Sequence, residues 1–408
     1  MKRLILSIIC FLLLITRVNA LELSSKHIVL YNLNDNEIVY EEGKDEKTSI
    51  ASLTKIMTTL VAIENIPDFN ETVTIKSSMF YGLEEANASV AGLRHNQKVT
   101  YNDLLYGLFL PSGADAARAL AITLAGSEEK FVDLMNQKAI ELGLKNTHFV
   151  NSTGLDAENH YSTVNEVAII LKYAYQNKKF KEIFEAETYT FSDKTLTVRS
   201  TFRKTAKNSG IDTSYIKGAK TGYTYEAGRC LASIAYDEKN QITYLLVTTN
   251  AEGTPNHIKD AKNVYDYYFD NYKYHNLVDK NDLLVTIPTK YSKTKKVNFY
   301  AKEDISKYLS NDFKKEDVTV KYVGEKIITP KMKTGTNLGT IDVIYKGEVV
   351  ETINISLESK IQFSLTEFLL AHKITVVLVV LVIFAILMIR IKLNKNKKKS
   401  LKQCKRNK

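Results

Sequence analysis

The strongest constraint on the fold of this chain is an uninterrupted apolar run close to its C-terminus. Residues 374–389 contain no charged residue and are rich in Val, Leu and Ile. A membrane-spanning helix needs about 20 apolar residues. Arg390 and Lys392 can extend this shorter run, because their long side chains reach towards the lipid headgroups. We therefore predict a transmembrane helix over 374–391. A buried core helix is the alternative, but only a polybasic tail follows the run.

The N-terminus has the composition of a secretory leader. A positively charged start precedes an apolar run at 4–15, and Val18-Asn19-Ala20 matches a small-residue cleavage pattern. We predict a signal peptide over 1–20, rather than an uncleaved anchor, and a mature start at Leu21. The positive-inside rule then places the short tail at 392–408 in the cytoplasm. The rest of the protein is expected outside the cell membrane, attached to its lipid by a single pass.

The basic total charge comes from the two ends of the chain. The whole chain carries +10, residues 390–408 alone contribute +10 and residues 1–20 contribute +3, so that residues 21–389 carry −3. A mildly acidic exported part does not indicate nucleic-acid binding. We interpret the tail as a plain topology signal, with contact to anionic lipid as the alternative.

Cysteine use agrees with an exported protein that is held together by packing alone. Of the three cysteines, only Cys230 lies between the predicted leader and the predicted span, so an internal disulfide is excluded there. Its apolar neighbours predict a small buried hydrophobe rather than a nucleophile. Neither Cys nor His shows metal-ligand spacing, and no metal or organic cofactor is implied.

The pattern of polar and apolar residues divides the exported part into two regions. Helical and strand patterns mix over 21–275, which we predict to be one large domain, whereas 276–360 reads as a small all-β domain of short alternating segments. The elements predicted in the large domain are strands at 27–31, 36–40 and 241–249 and helices at 49–66, 101–110, 128–142 and 256–272. The strands predicted in the small domain are 283–287, 318–320, 325–328 and 341–344.

A serine three residues ahead of a lysine is the first element with chemical meaning. Ser52 and Lys55 lie about one helical turn apart in the predicted helix, so their side chains share a face. A serine hydroxyl is a poor nucleophile until a base takes its proton, and a lysine that burial keeps neutral can be that base. A single serine-x-x-lysine is common by chance, so this pair needs support from elsewhere in the chain.

Two later segments provide that support. Ser112-Gly113-Ala114 follows a predicted helix that Pro111 ends, and Lys220-Thr221-Gly222 opens a run with strand character. A strand edge would present Lys220 and the Thr221 hydroxyl to a substrate, while Gly222 allows close approach to the backbone. A second copy, Lys333-Thr334-Gly335, has no partner serine nearby, and we predict a tight turn there.

With these segments in view, the chain resembles the D-alanyl-D-alanine carboxypeptidases, which are low-molecular-mass penicillin-binding proteins of the peptidase S11 type. The resembling segments are 51–58, 101–117, 146–149, 154–156, 160–163, 217–222 and 226–228. The resemblance implies an α/β (α+β) fold. It consists of a β-lactamase/transpeptidase-like domain with an antiparallel sheet flanked by helices, a small all-β domain and a C-terminal transmembrane helix.

The resemblance also implies a substrate and a set of site residues. The substrate would be the peptidoglycan stem peptide, from which the terminal D-alanine is removed through an acyl-enzyme, and β-lactam antibiotics would act as acylating inhibitors. The implied catalytic residues are Ser52, Lys55 and Ser112, and the implied substrate-binding residues are Lys220, Thr221, Gly222 and Tyr223.

The resemblance also implies a role for each of these residues. Lys55 would activate Ser52, and Ser112 would relay a proton to the leaving D-alanine. Lys220 and Thr221 would hold the substrate carboxylate by charge and hydrogen bond. The backbone N–H groups of Ser52 and Tyr223 would form the oxyanion hole.

The chain departs from the family pattern at one position and leaves one role open. The second motif usually ends in asparagine, and Ala114 has no group that hydrogen-bonds. Either a neighbour replaces the amide or catalysis is weakened. Arg203 and Lys207 are candidates for a basic residue that assists carboxylate binding, although solvated surface is the simpler interpretation of both.

Three other functions use some of the same residues. A D-alanyl endopeptidase would use the same site, and pocket depth would separate it from a carboxypeptidase. A non-catalytic penicillin-binding wall scaffold would have lost its activity through the replacement of the usual asparagine by Ala114. A β-lactamase is less favoured, because no Glu-x-x-Leu-Asn lies between Ser112 and Lys220.

Overall fold

The computed structural model describes residues 21–406, with side chains up to 399, so the predicted signal peptide lies outside the described residues. The described residues form two compact units, one ending at Asn271 and the other beginning at Tyr272.

The first unit contains nine strands: β1 His27–Asn32, β2 Glu37–Glu42, β3 Thr72–Thr74, β4 Lys98–Thr100, β5 Thr188–Thr190, β6 Thr197–Arg199, β7 Ile216–Thr224, β8 Gly228–Asp237 and β9 Ile242–Ala251. Five of them form an antiparallel sheet with the strand order β2-β1-β9-β8-β7. The other four form two short antiparallel pairs, β3-β4 and β5-β6. The strands predicted at 27–31, 36–40 and 241–249 are therefore present as β1, β2 and β9.

Helices cover both faces of this sheet. They are α1 Thr54–Asn65, α2 Tyr101–Phe109, α3 Ala114–Ala125, α4 Glu128–Glu141, α5 Val164–Ala174, α6 Lys178–Glu185, α7 Thr201–Asn208 and α8 Asn256–Asn271. Successive residues of a strand point to opposite faces. Val29 belongs to the apolar core shared with α5, and the next residue, Leu30, is also fully buried. Because both faces are covered, the inner strands β1, β8 and β9 are largely apolar and buried along most of their length rather than alternating.

The helix predicted from Ser49 begins later than expected. A single 3-10 turn, Ala51–Leu53, precedes α1, and Ala51 has a left-handed φ of 45°. Such a conformation is uncommon for a non-glycine residue and does not continue a right-handed helix. The chain therefore bends sharply where the predicted nucleophile lies.

The second unit is all-β up to its final helices. Its strands are β10 Tyr272–Val278, β11 Leu283–Pro288, β12 Lys296–Tyr300, β13 Ile305–Ser310, β14 Val318–Gly324, β15 Asn337–Tyr345 and β16 Glu348–Ser356. The pairs β10-β13 and β11-β12 and the three-stranded sheet β14-β15-β16 make up the unit. Apolar side chains such as Ile287, Ile328 and Ile341 form one of its small cores.

One predicted strand of this unit is wrong. Residues 325–328 are not a strand, and only Ile328 makes an isolated bridge, to Thr289. The ladder between β14 and β15 ends near Gly324, one residue before the predicted strand starts. The Glu325 N–H still donates to the Leu338 carbonyl, at 2.7 Å, and pairing stops there.

Two helices complete the described chain, α9 Leu365–Ala371 and α10 Lys373–Arg406. The part of α10 from Lys373 to Lys399 is long and apolar enough to cross a membrane, with a mean hydropathy of 3.1 and no buried surface. The antiparallel sheet with flanking helices, the all-β unit and the apolar C-terminal helix agree with the predicted fold class.

Candidate active site

The two residues of the first motif are in contact. The Lys55 Nζ donates to the Ser52 Oγ over 3.0 Å, because Ser52 lies in the 3-10 turn and Lys55 lies in the first turn of α1. A left-handed residue, Ala51, comes immediately before the serine. Backbone conformations of this kind cost free energy and concentrate at functional sites.

Burial tunes the Lys55 amine towards the neutral form. Lys55 is 2% exposed, and burial lowers its pKa to about 7, while the negative charge of Asp115 opposes the shift. The Nζ also donates to the Thr153 carbonyl over 2.5 Å. A lysine with this pKa is largely neutral in weakly alkaline solution, as a proton acceptor for a serine must be.

Two glycines pack against the turn that carries Ser52. A Cβ on Gly154 would lie 2.1 Å from the Ala51 carbonyl oxygen, and Gly154 has a φ of 77°. A Cβ on Gly222 would lie 3.1 Å from both the Ser52 nitrogen and the Ala51 Cβ. The close approach of strand β7 to the turn therefore depends on a residue without a side chain at 222.

The second serine meets the second lysine across a long stretch of chain. Ser112 lies between α2 and α3 with a φ of 63°, and its Oγ accepts a hydrogen bond of 2.9 Å from the Lys220 Nζ. The buried Asp115 carboxylate holds the neighbouring loop by accepting from the N–H groups of Ala91, Gly92 and Leu93.

Lys220 lies on β7, at one edge of the five-stranded sheet, and is 1% exposed. Its Nζ donates to the Ser112 Oγ and, over 2.7 Å, to the Thr221 carbonyl. Burial and the nearby Lys55 amine lower the pKa of Lys220 well below its usual value. Thr221 is partly exposed, and its hydroxyl lies 2.7 Å from the Thr201 hydroxyl.

A cleft of about 610 Å³ is lined by Ser52, Lys55, Ser112 and Thr221, and Lys220 is connected to it through its hydrogen bond to Ser112. Strand residues alternate between faces, so Thr221 and Tyr223 share one face of β7. Arg229 pairs with Tyr223 across β7 and β8, and its guanidinium carbon lies 4.0 Å from the centre of the Tyr223 ring. Within residues 21–406, Arg229 forms no ion pair. The cleft wall thus carries a free guanidinium.

A buried histidine lines the same cleft. His257 is 3% exposed, and burial lowers its pKa to about 4, with a further contribution from the charge of Arg229. Its Nδ1 is buried without a hydrogen-bond partner among the residues that the structure describes.

Comparisons with known proteins agree with this geometry. Residues 15–253 match the peptidase S11 family of D-alanyl-D-alanine carboxypeptidases, and residues 272–362 match the C-terminal domain of penicillin-binding protein 5. The chain is 31% identical to the D-alanyl-D-alanine carboxypeptidase DacF of Bacillus subtilis, covering 86% of this chain and 92% of that relative. The chain belongs to the D-alanyl-D-alanine carboxypeptidase family. It is therefore a serine peptidase of the D-Ala-D-Ala carboxypeptidase type, as predicted.

Two further relatives bear on fold and specificity. The crystal structure of penicillin-binding protein 5 from Haemophilus influenzae has a TM-score of 0.62 at 24% identity, covering 83% of this chain and 98% of that one. This similarity confirms the predicted fold class. A D-alanyl-D-alanine endopeptidase of Escherichia coli is 29% identical over 59% of this chain and 76% of its own length.

The departure from the family pattern at Ala114 has a structural counterpart. Ala114 is 2% exposed at the start of α3, and its N–H donates to the Ser89 carbonyl over 2.7 Å. The hydrogen-bond acceptor close to the Lys55 amine is the Thr153 carbonyl, which belongs to the backbone. The Asn151 side chain accepts from the N–H groups of Thr153 and Gly154 and so fixes this carbonyl.

The basic residues proposed from the sequence have other surroundings. The Arg203 guanidinium donates to the carbonyls of Thr213 and Ile216 and pairs with Glu187. Neither Arg203 nor Lys207 lines the cleft. Arg229 was not among the predicted site residues, although its place on the strand that follows Lys220-Thr221-Gly222 is a signal that could have indicated it. A tight turn after Thr224 places the next strand, and therefore Arg229, opposite Tyr223.

The remaining sequence predictions concern Cys230 and metals. Cys230 is fully buried on β8, and burial raises the pKa of its thiol to about 12, so the prediction of a small buried hydrophobe is confirmed. Within residues 21–406, no group of His, Cys, Asp or Glu side chains is arranged to hold a metal ion.

Proposed function

We propose that this protein removes the terminal D-alanine from peptidoglycan stem peptides through an acyl-enzyme on Ser52 and that β-lactams acylate the same serine. The observation that supports this proposal is a pair of serine–lysine hydrogen bonds whose two serines line one cleft, Lys55 with Ser52 at 3.0 Å and Lys220 with Ser112 at 2.9 Å. One pair supplies a nucleophile and its base, and the other supplies a proton relay.

Acylation begins when neutral Lys55 takes the proton of the Ser52 hydroxyl. The serine oxygen attacks the carbonyl carbon of the penultimate D-alanine, and negative charge moves to the carbonyl oxygen. The N–H groups of Ser52 and Tyr223 are the proposed donors to this oxyanion. Gly222 supports the assignment because it allows β7 to lie against the Ser52 nitrogen.

The intermediate then collapses and the C–N bond breaks. The leaving nitrogen of the terminal D-alanine needs a proton, which the Ser112 hydroxyl donates as it takes one from the Lys220 amine. The nearby Lys55 replaces that proton with the one it took from Ser52, so that both lysines are neutral again. Water then gives a proton to Lys55 as its oxygen attacks the ester, and the C–O bond to Ser52 breaks as the serine oxygen takes that proton back. Both lysines therefore act by transferring protons within a buried network rather than by holding a fixed charge.

The substrate carboxylate needs a cation that is charged at neutral pH. The family resemblance implied Lys220 for this charge, with Thr221 as the hydrogen-bond donor. The structure buries Lys220 and engages its amine with Ser112 and Thr221, so we move the charge to Arg229 and keep Thr221 as the hydroxyl donor. Arg229 lies on the same face as Thr221, displaced by about two residues or roughly 7 Å along the strand.

The cellular arrangement follows the sequence prediction. We propose a signal peptide at 1–20, a catalytic domain at 21–275 and a β-rich domain at 276–360. A span at 374–391 and a cytoplasmic tail at 392–408 would complete the chain. The apolar part of α10 supports a single-pass anchor. The enzyme would act outside the cell membrane, where its substrate lies.

The test is D-alanine release from a muropeptide that ends in D-Ala-D-Ala, using the detergent-solubilised full chain. We expect release by the unchanged protein and none above background from Ser52→Ala. The matched control is Ser49→Ala, because this nearby serine contacts Asp156 rather than a lysine. Release that persists in Ser52→Ala would exclude Ser52 as the nucleophile.

A D-alanyl endopeptidase is the second candidate, because one relative carries that name at 29% identity. A cross-linked muropeptide dimer in the same assay separates the two activities. Cleavage of the dimer with no release from the monomer would replace the carboxypeptidase proposal. Acylation by labelled penicillin without turnover of either substrate would support a binding scaffold.

A further inference from the structure

A lysine-rich loop of the β unit packs against the segment that leads into the apolar helix. This basic loop, residues 289–296, runs from the end of β11 to the first residue of β12 and contains Lys290, Lys293, Lys295 and Lys296. Its Tyr291 carbonyl accepts a hydrogen bond of 2.8 Å from the Ser364 N–H, at the start of α9. Its Lys295 amine pairs with Glu367 of α9 at 2.6 Å. The loop is therefore fixed to α9 by backbone and by charge.

The same contacts place the loop at the beginning of the apolar helix. The Tyr291 ring lies 5.1 Å from the Phe368 ring and is stacked on the His372 ring at 5.5 Å, both between ring centres. His372 is two residues before Ile374, where the uncharged run starts. At the helical rise per residue, this separation is about 3 Å along the axis. If α10 spans the membrane, Tyr291 lies at the depth where tyrosines are enriched, between the headgroups and the hydrocarbon.

The exposed side chains around this point fit a membrane surface. Lys290, Lys293 and Lys296 are exposed and form no ion pair within residues 21–406. Leu365 and Leu370 of α9 are 62% and 65% exposed, which is unusual for leucines of a water-facing helix. The lysines could interact with negatively charged headgroups, and the exposed leucines could enter the boundary between the headgroups and the acyl chains. Both lie near the residue at which the apolar helix begins.

We propose that the basic loop and α9 form a docking surface for anionic phospholipid headgroups at the outer face of the membrane. The loop lysines would pair with the phosphates, and the leucines of α9 would enter the interface beneath them. The inference rests on the proposed membrane attachment and goes beyond it. It predicts that the β unit contacts lipid itself, in addition to being tethered by the helix.

The test uses the absence of tryptophan from this chain. The full chain with Tyr291→Trp, reconstituted into phosphatidylcholine vesicles that contain some phosphatidylglycerol, has a single tryptophan at the loop. A nitroxide near the headgroup is placed on one lipid or on the other, and fluorescence quenching is measured. We expect stronger quenching by labelled phosphatidylglycerol than by labelled phosphatidylcholine. The preference should disappear when Lys290, Lys293 and Lys296 are all changed to Gln.

Tyr300→Trp is the matched control, since Tyr300 lies at the far end of β12, about 13 Å from Lys296. Equal quenching by the two lipids at position 291 would overturn the anionic preference. Quenching at 291 no greater than at 300 would overturn the docking surface altogether. Resistance of the same vesicles to a carbonate wash reports membrane attachment separately. D-alanine release by the three-lysine variant should equal that of the unchanged protein, which shows that the variant folds.

Discussion

The chain contains the tripeptide Lys-Thr-Gly twice, in two regions that use it in different ways. In the first unit, Lys220 is buried on an edge strand and donates to Ser112, and Gly222 lies against the turn of Ser52. In the second unit, Lys333 is exposed, and the tripeptide forms a turn ahead of β15, with the Gly335 N–H donating to the Leu357 carbonyl. Gly335 has a φ of 84°, and a Cβ there would meet nothing within 4 Å.

The difference shows what the motif consists of physically. The three letters carry no chemistry by themselves, and the second copy is explained by the left-handed conformation that its glycine adopts. The first copy has its properties because the fold buries Lys220 beside Ser112, which is far away in sequence. It also depends on Gly222, because the turn that carries Ser52 lies against this residue where a side chain would be. Substitutions can test each part of this contrast.

The largest expected difference is between the two lysines. We expect Lys220→Met to lower kcat for D-alanine release roughly 10²- to 10⁴-fold, because the proton relay to the leaving nitrogen is lost. Lys333→Met should leave kcat unchanged, because Lys333 is exposed and is not among the residues that line the cleft. Steady-state release from the same muropeptide measures both. A similar decrease of kcat in the two variants would show that the two copies of the tripeptide do not differ in function.

A second prediction locates the charge that buried Lys220 does not provide. We expect Arg229→Gln to raise KM roughly 10- to 100-fold with a smaller change in kcat, which corresponds to a lost hydrogen bond to a charged group. A substrate with a terminal carboxamide should be processed equally by the two proteins, since it has no carboxylate to bind. Lys207→Gln is the control, as Lys207 does not line the cleft. An Arg229→Gln effect of the same size on the carboxamide would refute the assignment.

A third prediction concerns the other buried amine, Lys55. The base must be neutral to accept the serine proton, and its pKa is lowered to about 7. The rate of acylation by labelled penicillin should therefore rise about tenfold per pH unit in acid solution and level off above about pH 7. Because the Asp115 charge holds this pKa up, Asp115→Asn should move the midpoint to lower pH. A midpoint near the pKa of an ordinary lysine would show that burial does not make Lys55 neutral at pH 7. A midpoint that Asp115→Asn leaves unchanged would show that Lys55 is not the base.

Local sequence was sufficient for the parts of the fold that depend on neighbouring residues. Ser52 and Lys55 are three residues apart, so their contact follows from one helical turn. Pro111 marked the end of α2 because it cannot continue a helix. The apolar segments at 27–31 and 241–249 were recognised as strands, and the spacing of turns indicated a separate β unit. The exception was 325–328, which follows the last pair of the β14–β15 ladder and pairs only through the bridge from Ile328 to Thr289.

The rest of the candidate site depends on contacts that no local pattern contains. Ser112 and Lys220 are 108 residues apart and meet only after the sheet and α2 are assembled. Arg229 comes to the cleft through its register with Tyr223, and the sequence indicates this position only once the pairing of β7 with β8 is assumed. The acceptor beside Lys55 is the backbone carbonyl of Thr153. Any residue type carries such a carbonyl, so the sequence does not indicate that position 153 has this role. The parts of the site that were not predicted therefore depend on the register between two strands and on a backbone hydrogen-bond acceptor.

The smallest expected effects separate the two glycines. A Cβ at 222 would lie 3.1 Å from the Ser52 nitrogen, so Gly222→Ala should displace the proposed oxyanion donor by a few tenths of an ångström and lower the acylation rate about tenfold. Gly335→Ala meets no neighbour, but alanine at positive φ costs about 1 kcal/mol. It should lower the free energy of unfolding of the β unit by that amount and leave acylation unchanged. Urea unfolding and penicillin acylation, measured on both variants, give the comparison. If Gly222→Ala lost only stability, the glycine would serve the strand, and its approach to Ser52 would have no part in the chemistry.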